Sequence, residues 1–240
     1  MSRPGVDYSA IETALSVVQA GSGVRNFLRD THAKAYEADH LMGGVLKLSP
    51  IPDLNRCVSL YTLLLATKAC TVVEAGSSCG IRTIYIALAV AQNAAAYNAP
   101  QHGVLAAEVD PSQAAEAREN WQMAGKEIKR SIYQQEGDVQ ESLSMRVPEN
   151  LDFLLLDVYA THPVIALKIV RPYLRFGAMV VADNAFEFLT GYQELLAYLG
   201  NPANEFKYVG FGGMIIAVSS KRQAPSGFPK AVAGWSDGIE

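Results

Sequence analysis

Charged residues and cysteines are both few in this 240-residue chain, and each scarcity excludes some classes of protein. Charged residues make up 18% of the sequence, and the net charge is −4. Because Lys and Arg form no cluster, we expect no nucleic-acid partner. The three cysteines, Cys57, Cys70 and Cys79, show neither metal-ligand nor disulfide spacing. Such cysteines are typical of a reduced compartment.

Long apolar runs are missing as well. No run reaches the length of a membrane span, so we expect no membrane partner. The opening residues are polar, unlike a signal peptide, and we therefore expect a cytoplasmic protein. Half of the residues are hydrophobic, which suffices for one domain with a sizeable core. We predict a single domain over residues 1–240, with an N-terminal helical cap at 1–45 and an irregular tail at 222–240.

Local patterns predict the boundaries of several elements. Ser9 stands where it can cap the first helix, and either Asp53 or Asn55 stands where it can cap a later one. The segment Gln92–His102, rich in Ala and Asn, predicts a loop, and Pro163–Leu174 predicts a helix. Two short apolar runs around glycines in Phe206–Ser219 predict a β-hairpin.

The stretch Thr71–Ala91 predicts a strand, a glycine-rich turn and a helix, around which the rest of the chain is arranged. A β-branched run ends in Glu74, Gly76 and Gly80 bound the turn, and apolar residues then recur at helical spacing. The G-x-G-x-x-G pattern of dinucleotide-binding folds is absent. Glycine lets a ligand approach the backbone, and the first helical turn offers free N–H groups to anionic groups. The stretch predicts a ligand site, although an ordinary βα turn often contains glycine too.

Acidic residues end two further predicted strands. Glu108 closes the second strand, where a carboxylate can accept hydrogen bonds from ribose hydroxyls. Gly137 and Asp138 follow the third strand, where a carboxylate can lie near an adenine amino group. Each residue also fits a solvated strand end or a common turn. The repeated strand–helix alternation predicts an α/β fold, with a parallel sheet covered by helices on both faces and an antiparallel edge.

Oxygen-bearing side chains end the two strands that follow. Asp157 closes the apolar run from Leu151, and Asp183 and Asn184 close the next one. If the strands are neighbours, these side chains face the same crevice as the glycine turn. Carboxylate and amide oxygens are ligands that suit Mg²⁺.

At this point the chain resembles the class I S-adenosylmethionine (SAM)-dependent O-methyltransferases, and specifically the cation-dependent caffeoyl-CoA and catechol O-methyltransferases. The turn resembles their motif E-x-G-x-x-x-G, and the later acids resemble their Asp and Asp-Asn metal ligands. The resemblance implies a Rossmann-like, doubly wound, mostly parallel seven-stranded sheet with an antiparallel C-terminal hairpin, N-terminal cap helices and a homodimer. It implies SAM binding by Glu74, Gly76, Ser78, Gly80, Glu108, Gly137, Asp138 and Asp157, and Mg²⁺ binding by Asp157, Asp183 and Asn184.

One departure from the family leaves the chemistry open. The family carries a Lys near the reacting hydroxyl, at the position that is Ala160 here. Asp157 and His162 are then the predicted catalytic residues, although His162 also fits a loop or helix-cap role. We expect a methyltransferase that acts, with Mg²⁺, on a phenolic or catechol-like hydroxyl of a small molecule. The alternatives are metal-independent methylation of a carboxylic acid or acidic phenol, and an inactive SAM-binding protein.

Overall fold

A seven-stranded sheet forms the centre of the structure, a computed structural model that describes residues 6–41, 52–158, 162–183, 189–211 and 214–220. The strands are β1 (Thr71–Ala75), β2 (Gly103–Glu108), β3 (Ile132–Glu136), β4 (Leu151–Leu156), β5 (Leu174–Ala182), β6 (Phe206–Phe211) and β7 (Met214–Ser219). Their order is β3-β2-β1-β4-β5-β7-β6. The first five strands are parallel, and β7 runs antiparallel to both β5 and β6. The predicted doubly wound sheet with an antiparallel C-terminal hairpin is confirmed.

Helices cover both faces of this sheet. The described part of the chain contains α1 (Tyr8–Leu15), α2 (Ser22–Leu41), α3 (Leu54–Ala66), α4 (Ile81–Tyr97), α5 (Pro111–Ala124), α6 (Lys126–Arg130), α7 (Val139–Met145), α8 (His162–Val170) and α9 (Leu189–Gly200). Val72 of β1 belongs to a buried apolar cluster that includes Leu64 of α3 and Ile84 of α4. Its neighbour Val73 belongs to a second cluster, with Leu167 of α8. Successive strand residues point to opposite faces, so both faces are buried.

The N-terminal helices join the first of these clusters. Ile11 and Leu15 of α1 and Leu28 of α2 are buried together with α3 and α4. The predicted cap at 1–45 is thus helical over most of its described part, residues 6–41, while 42–45 and the predicted tail at 222–240 lie outside the described residues. Among the described helices, none combines the length and the apolar character needed to cross a membrane.

Two predictions near helix ends are wrong. Asp7, rather than Ser9, caps α1, because its carboxylate accepts the backbone N–H of Ala10 at 3.0 Å. The segment from Gln92 was predicted to be a loop, yet α4 runs on to Tyr97. Its alanines favour the helix, which ends only where Asn98 takes a left-handed conformation at φ 50°.

The helix predicted over Pro163–Leu174 is too long. Helix α8 ends at Val170 and gives way to a short 3₁₀ turn at Arg171–Tyr173, after which Leu174 already begins β5. Pro172 explains the change, because it has no N–H to donate to a continuing α-helix. The capping role predicted for Asp53 is confirmed, since its carboxylate accepts the Arg56 N–H at 3.1 Å.

Two glycines set the turn between β1 and α4. Gly76 has a φ of +87°, and a Cβ there would overlap the backbone carbonyl oxygen of Asp157. Gly80 has a φ of +76°, and its Cβ would lie 2.5 Å from Nε1 of Trp121 and 2.7 Å from Cβ of Ala117. Trp121 also donates from Nε1 to the Gly80 carbonyl at 2.9 Å. The turn is therefore pressed between β4 and α5, with no room for a side chain at either glycine.

Replacing Gly80 with Ala should lower the free energy of unfolding by about 2–4 kcal/mol, because a left-handed backbone and an overpacked contact with Trp121 add together. Gly23→Ala is the matched control, because Gly23 lies in the exposed start of α2 with nothing within 4 Å of the new Cβ. It should leave stability unchanged or slightly improved. Urea unfolding of both variants measures the difference, and equal stabilities would contradict the close packing at Gly80.

Candidate active site

Backbone hydrogen bonds extend the sheet beyond its strand ends and hold the predicted site residues in place. The Gly76 N–H donates to the Ala107 carbonyl at 2.9 Å, and the Gly137 N–H donates to the Glu108 carbonyl at 3.0 Å. The Asp157 N–H donates to the Ala75 carbonyl at 2.9 Å, and the Asp183 N–H donates to the Leu156 carbonyl at 2.9 Å. Each predicted residue is thus anchored to the adjacent strand, at the edge where open α/β sheets bind ligands.

A pocket of about 530 Å³ of empty space opens at this edge of the sheet. Its walls include Gly76 after β1, Glu108 at the end of β2, and Gly137 and Asp138 after β3. His162, the first residue of α8, lines the same pocket. The structure therefore brings together four of the predicted cofactor residues and one predicted catalytic residue.

Glu108 holds the glycine turn as well as lining the pocket. One carboxylate oxygen accepts the Ser78 backbone N–H at 2.7 Å, and the other accepts those of Val109 and Asp110 at 3.0 Å each. Ser78 has a left-handed φ of 50°, a strained conformation for a serine that this hydrogen bond stabilises. Ser78 and Gly80 are not among the pocket's lining residues, so they shape the glycine turn without forming the pocket wall.

The hydroxyl of Ser142 is a feature that the sequence patterns did not single out. Ser142 lies on α7, lines the pocket and is 1% exposed, yet its Oγ has no hydrogen-bond partner among the described residues. Leaving a buried hydroxyl unpaired costs about 1–3 kcal/mol. The Ser142 hydroxyl is therefore a candidate hydrogen-bonding group for a ligand in the pocket.

A cluster of buried charges lies beside the glycine turn, centred on Arg82 in the first turn of α4. Its Nη1 donates to an Asp183 oxygen at 2.7 Å, and its Nη2 donates to Asp157. Its Nε lies 3.5 Å from a Glu74 oxygen, without a hydrogen bond between them. Arg56 of α3 donates to the second Asp183 oxygen at 2.9 Å. Three acids from the ends of β1, β4 and β5 thus share one guanidinium.

Burial controls the protonation of Glu74. Desolvation raises the pKa of Glu74 to about 7, since the opposing effects of Arg82 and of the Thr83 hydroxyl do not offset it. The Thr83 hydroxyl donates to one Glu74 oxygen at 2.6 Å, whereas the other oxygen, which faces Arg82, has no hydrogen-bond partner among the described residues. The acidic neighbours raise the pKa of Arg82, so its guanidinium stays charged.

Two of the three predicted metal ligands, Asp157 and Asp183, are each engaged by Arg82. Mg²⁺ needs oxygen ligands at about 2.1 Å in a near-ideal octahedron, but an oxygen of Asp157 and one of Asp183 each accept from Arg82. In the part of the chain that the structure describes, no three His, Cys, Asp or Glu side chains are grouped to hold a metal ion. Asn184 and Ala160 lie outside it. The magnesium prediction is therefore not supported.

Known proteins resemble this chain in part of its sequence and in its fold. Residues 73–185 match the family model described as a methyltransferase domain. Among curated proteins, none matches the chain significantly.

Solved methyltransferase structures share the fold at low sequence identity. The O-methyltransferase from Bacillus cereus in complex with S-adenosylhomocysteine (SAH) is 16% identical, with a TM-score of 0.65 over 88% of this chain and 97% of its own. The O-methyltransferase TomG from Streptomyces achromogenes, involved in tomaymycin synthesis and in complex with SAM, is 16% identical, with a TM-score of 0.64 over 89% and 96% of the two chains. An SAH-bound methyltransferase from Podospora anserina is 12% identical, with a TM-score of 0.62 over 91% and 98%.

Residues 73–185 match a methyltransferase domain, and the sheet order is that of solved O-methyltransferases. The family model and the fold thus confirm the resemblance to class I O-methyltransferases that the sequence indicated.

The raised pKa of Glu74 predicts a pH-dependent loss of stability. The folded pKa of about 7 lies above the ordinary value of 4.5, so the folded state binds the proton more tightly and loses stability as the pH rises through this window. Glu74→Gln keeps the uncharged shape at every pH. Between pH 5 and pH 8, wild type should therefore lose stability relative to this variant in urea unfolding.

Glu127→Gln is the control for this comparison, because the Glu127 side chain is 88% exposed and should show no such trend. A stability difference between wild type and Glu74→Gln that stays constant from pH 5 to pH 8 would contradict the raised pKa.

Proposed function

We propose that the protein transfers the methyl group of SAM to an oxygen atom of a small-molecule acceptor. The observation that carries the proposal is the pocket at the carboxyl ends of β1, β2 and β3, which is lined by Gly76, Glu108, Gly137 and Asp138. These residues are four of the eight that the sequence patterns and the family resemblance lead us to expect in contact with SAM.

The pocket residues fit the parts of SAM. Each Glu108 oxygen that binds backbone N–H groups has two lone pairs, so the oxygen bonded to Ser78 keeps one for a ribose hydroxyl. Asp138 caps α7 by accepting the Gln140 N–H at 2.8 Å, and its carboxylate stays exposed at the pocket. The unpaired Ser142 hydroxyl adds a polar group to this end of the pocket, where the adenine amino group is expected.

The chemistry that SAM supplies when bound is an electrophilic methyl group on a positively charged sulfur. The protein must then hold the acceptor molecule so that one of its oxygens, with an available lone pair, lies in line with that methyl group. His162 is half-buried at the pocket wall and is the described residue that we assign as the base that takes the acceptor proton. Held by Gly76, Glu108, Gly137 and Asp138, SAM would give its methyl group to the acceptor oxygen as the bond from that carbon to sulfur breaks, and SAH would leave.

The acceptor class follows from the charges beside the pocket. Asp157 and Asp183 are engaged by Arg82, so we propose a reaction in which no metal lowers the pKa of the acceptor hydroxyl. Phenols and catechols with His162 as base, or acceptors that are already ionised at neutral pH, such as carboxylic acids, meet this condition. A homodimer in the cytoplasm, as the resemblance and composition imply, remains part of the proposal.

Ser142→Ala should weaken SAM binding by about fivefold to tenfold, which is the effect of one lost hydrogen bond. Without ligand the same variant should be as stable as wild type or more stable, because it removes an unpaired buried hydroxyl. Calorimetric titration with SAM and thermal unfolding measure the two effects.

Ser144→Ala is the matched control on the same helix, because Ser144 is exposed and donates to the Gln140 carbonyl outside the pocket. It should leave SAM affinity unchanged. SAM affinity that is equal in wild type and Ser142→Ala would remove Ser142 from the site, and no SAM binding by wild type would refute the proposed function.

His162→Gln should lower the rate of methyl transfer by about 10²–10⁴-fold, because a neutral amide cannot take the acceptor proton. The assay follows methyl transfer from SAM to caffeate, with excess EDTA and with Mg²⁺, and then to carboxylic acids. His102→Gln is the control, since His102 is exposed and away from the pocket. Wild-type activity that needs Mg²⁺ would refute the metal-independent proposal, and SAM binding without any turnover would favour a protein without catalysis.

A further inference from the structure

Arg82 occupies an unusual position for an arginine. It is 6% exposed, in the first turn of a helix of mostly apolar residues, and its guanidinium lies among the carboxylates of Glu74, Asp157 and Asp183. These carboxylates come from the ends of three adjacent strands. A buried carboxyl group needs either a partner or a proton, and Asp157 and Asp183 find their partner in the guanidinium of Arg82.

Arg82 contacts the same carboxylates that would bind a metal at this edge of the sheet. Two of its nitrogens donate to one oxygen of Asp157 and one of Asp183, the two predicted metal ligands that lie among the described residues. Arg56 donates to the remaining Asp183 oxygen at 2.9 Å. Both Asp183 oxygens therefore face a guanidinium, whose positive charge disfavours a divalent cation at the same place.

We propose that Arg82 is a built-in cation that replaces the divalent metal at this site, and that its removal converts the site into a divalent-cation site. Arg82 is thus a positioning residue, which holds Asp157 and Asp183 at the edge of the pocket. The effect of Arg82 on catalysis rests on the proposed function, whereas the replacement of a metal by Arg82 does not.

A purely structural ion pair would give a different result on mutation. If Arg82 only stabilised the fold, its loss would destabilise the protein in the same way with and without metal. If it takes the place of a metal, its loss leaves carboxylates that a divalent cation can bind. Metal affinity, rather than stability alone, therefore separates the two roles.

The experiment measures Mn²⁺ binding by electron paramagnetic resonance, and the shift in melting temperature with Mg²⁺, in wild type and in Arg82→Ser. Wild type should show neither effect. Arg82→Ser should bind Mn²⁺ at least about tenfold more tightly than wild type and should recover melting temperature when Mg²⁺ is added. The double variant Arg82→Ser with Asp183→Asn should lose both gains, which locates the metal.

Arg56→Gln is the matched control, because it removes a guanidinium from Asp183 but leaves Arg82 in place. It should not gain Mn²⁺ binding. If Arg82→Ser does not fold, Arg82→Lys takes its place, since one ammonium cannot reproduce the contacts of a guanidinium with several carboxylates. Lys should then give a smaller gain in the same direction.

Two results would overturn the inference. One is Mn²⁺ binding by wild type that Asp183→Asn abolishes, and the other is a folded Arg82 variant without any gain in metal affinity. SAM titration of the same proteins keeps the proposals apart, because wild-type SAM binding tests the methyltransferase site without reference to metal.

Discussion

One desolvated guanidinium determines how the central strands end. Asp157 and Asp183 end neighbouring strands beside the fully buried Glu74, and Asp183 is 4% exposed, so water screens their repulsion poorly. Arg82 makes this arrangement possible by donating to two of the acids and lying near the third. Because it belongs to the first turn of α4, it also fixes where that helix begins relative to β4 and β5.

The shape of the pocket depends on the same packing. Gly76 approaches the Asp157 carbonyl so closely that a Cβ would overlap it, and Glu108 holds the turn through the Ser78 N–H. Hydrogen bonds within the protein thus hold the backbone around the ligand site, and the turn keeps its form without a ligand. Such preorganisation lowers the entropy lost on binding. What it leaves unbonded, notably the Ser142 hydroxyl, is then a sign of where ligand contacts belong.

The sequence predicts the strands and the acids at their ends because both are local signals. Apolar runs bounded by Glu108, Asp157 and Asp183 lie in the structure where the patterns indicate. The role of Arg82 escapes such reasoning, since its partners lie 75 and 101 residues away along the chain. Its only local signal is that it is the one charged residue in an otherwise apolar helix start. Ser142 was missed for the same reason, because only the tertiary structure reveals its missing partner.

A guanidinium and a metal ion can neutralise the same carboxylates, but they act differently on a substrate. A metal offers open coordination positions and lowers the pKa of a bound hydroxyl. Arg82 is buried, and its nitrogens are directed at the protein's own acids, so it offers an acceptor no comparable position. The task of producing the nucleophile then moves to His162 or to the acidity of the acceptor itself. A change from metal to arginine at one helix start would therefore alter which acceptors can react, while the fold and the cofactor pocket stay the same.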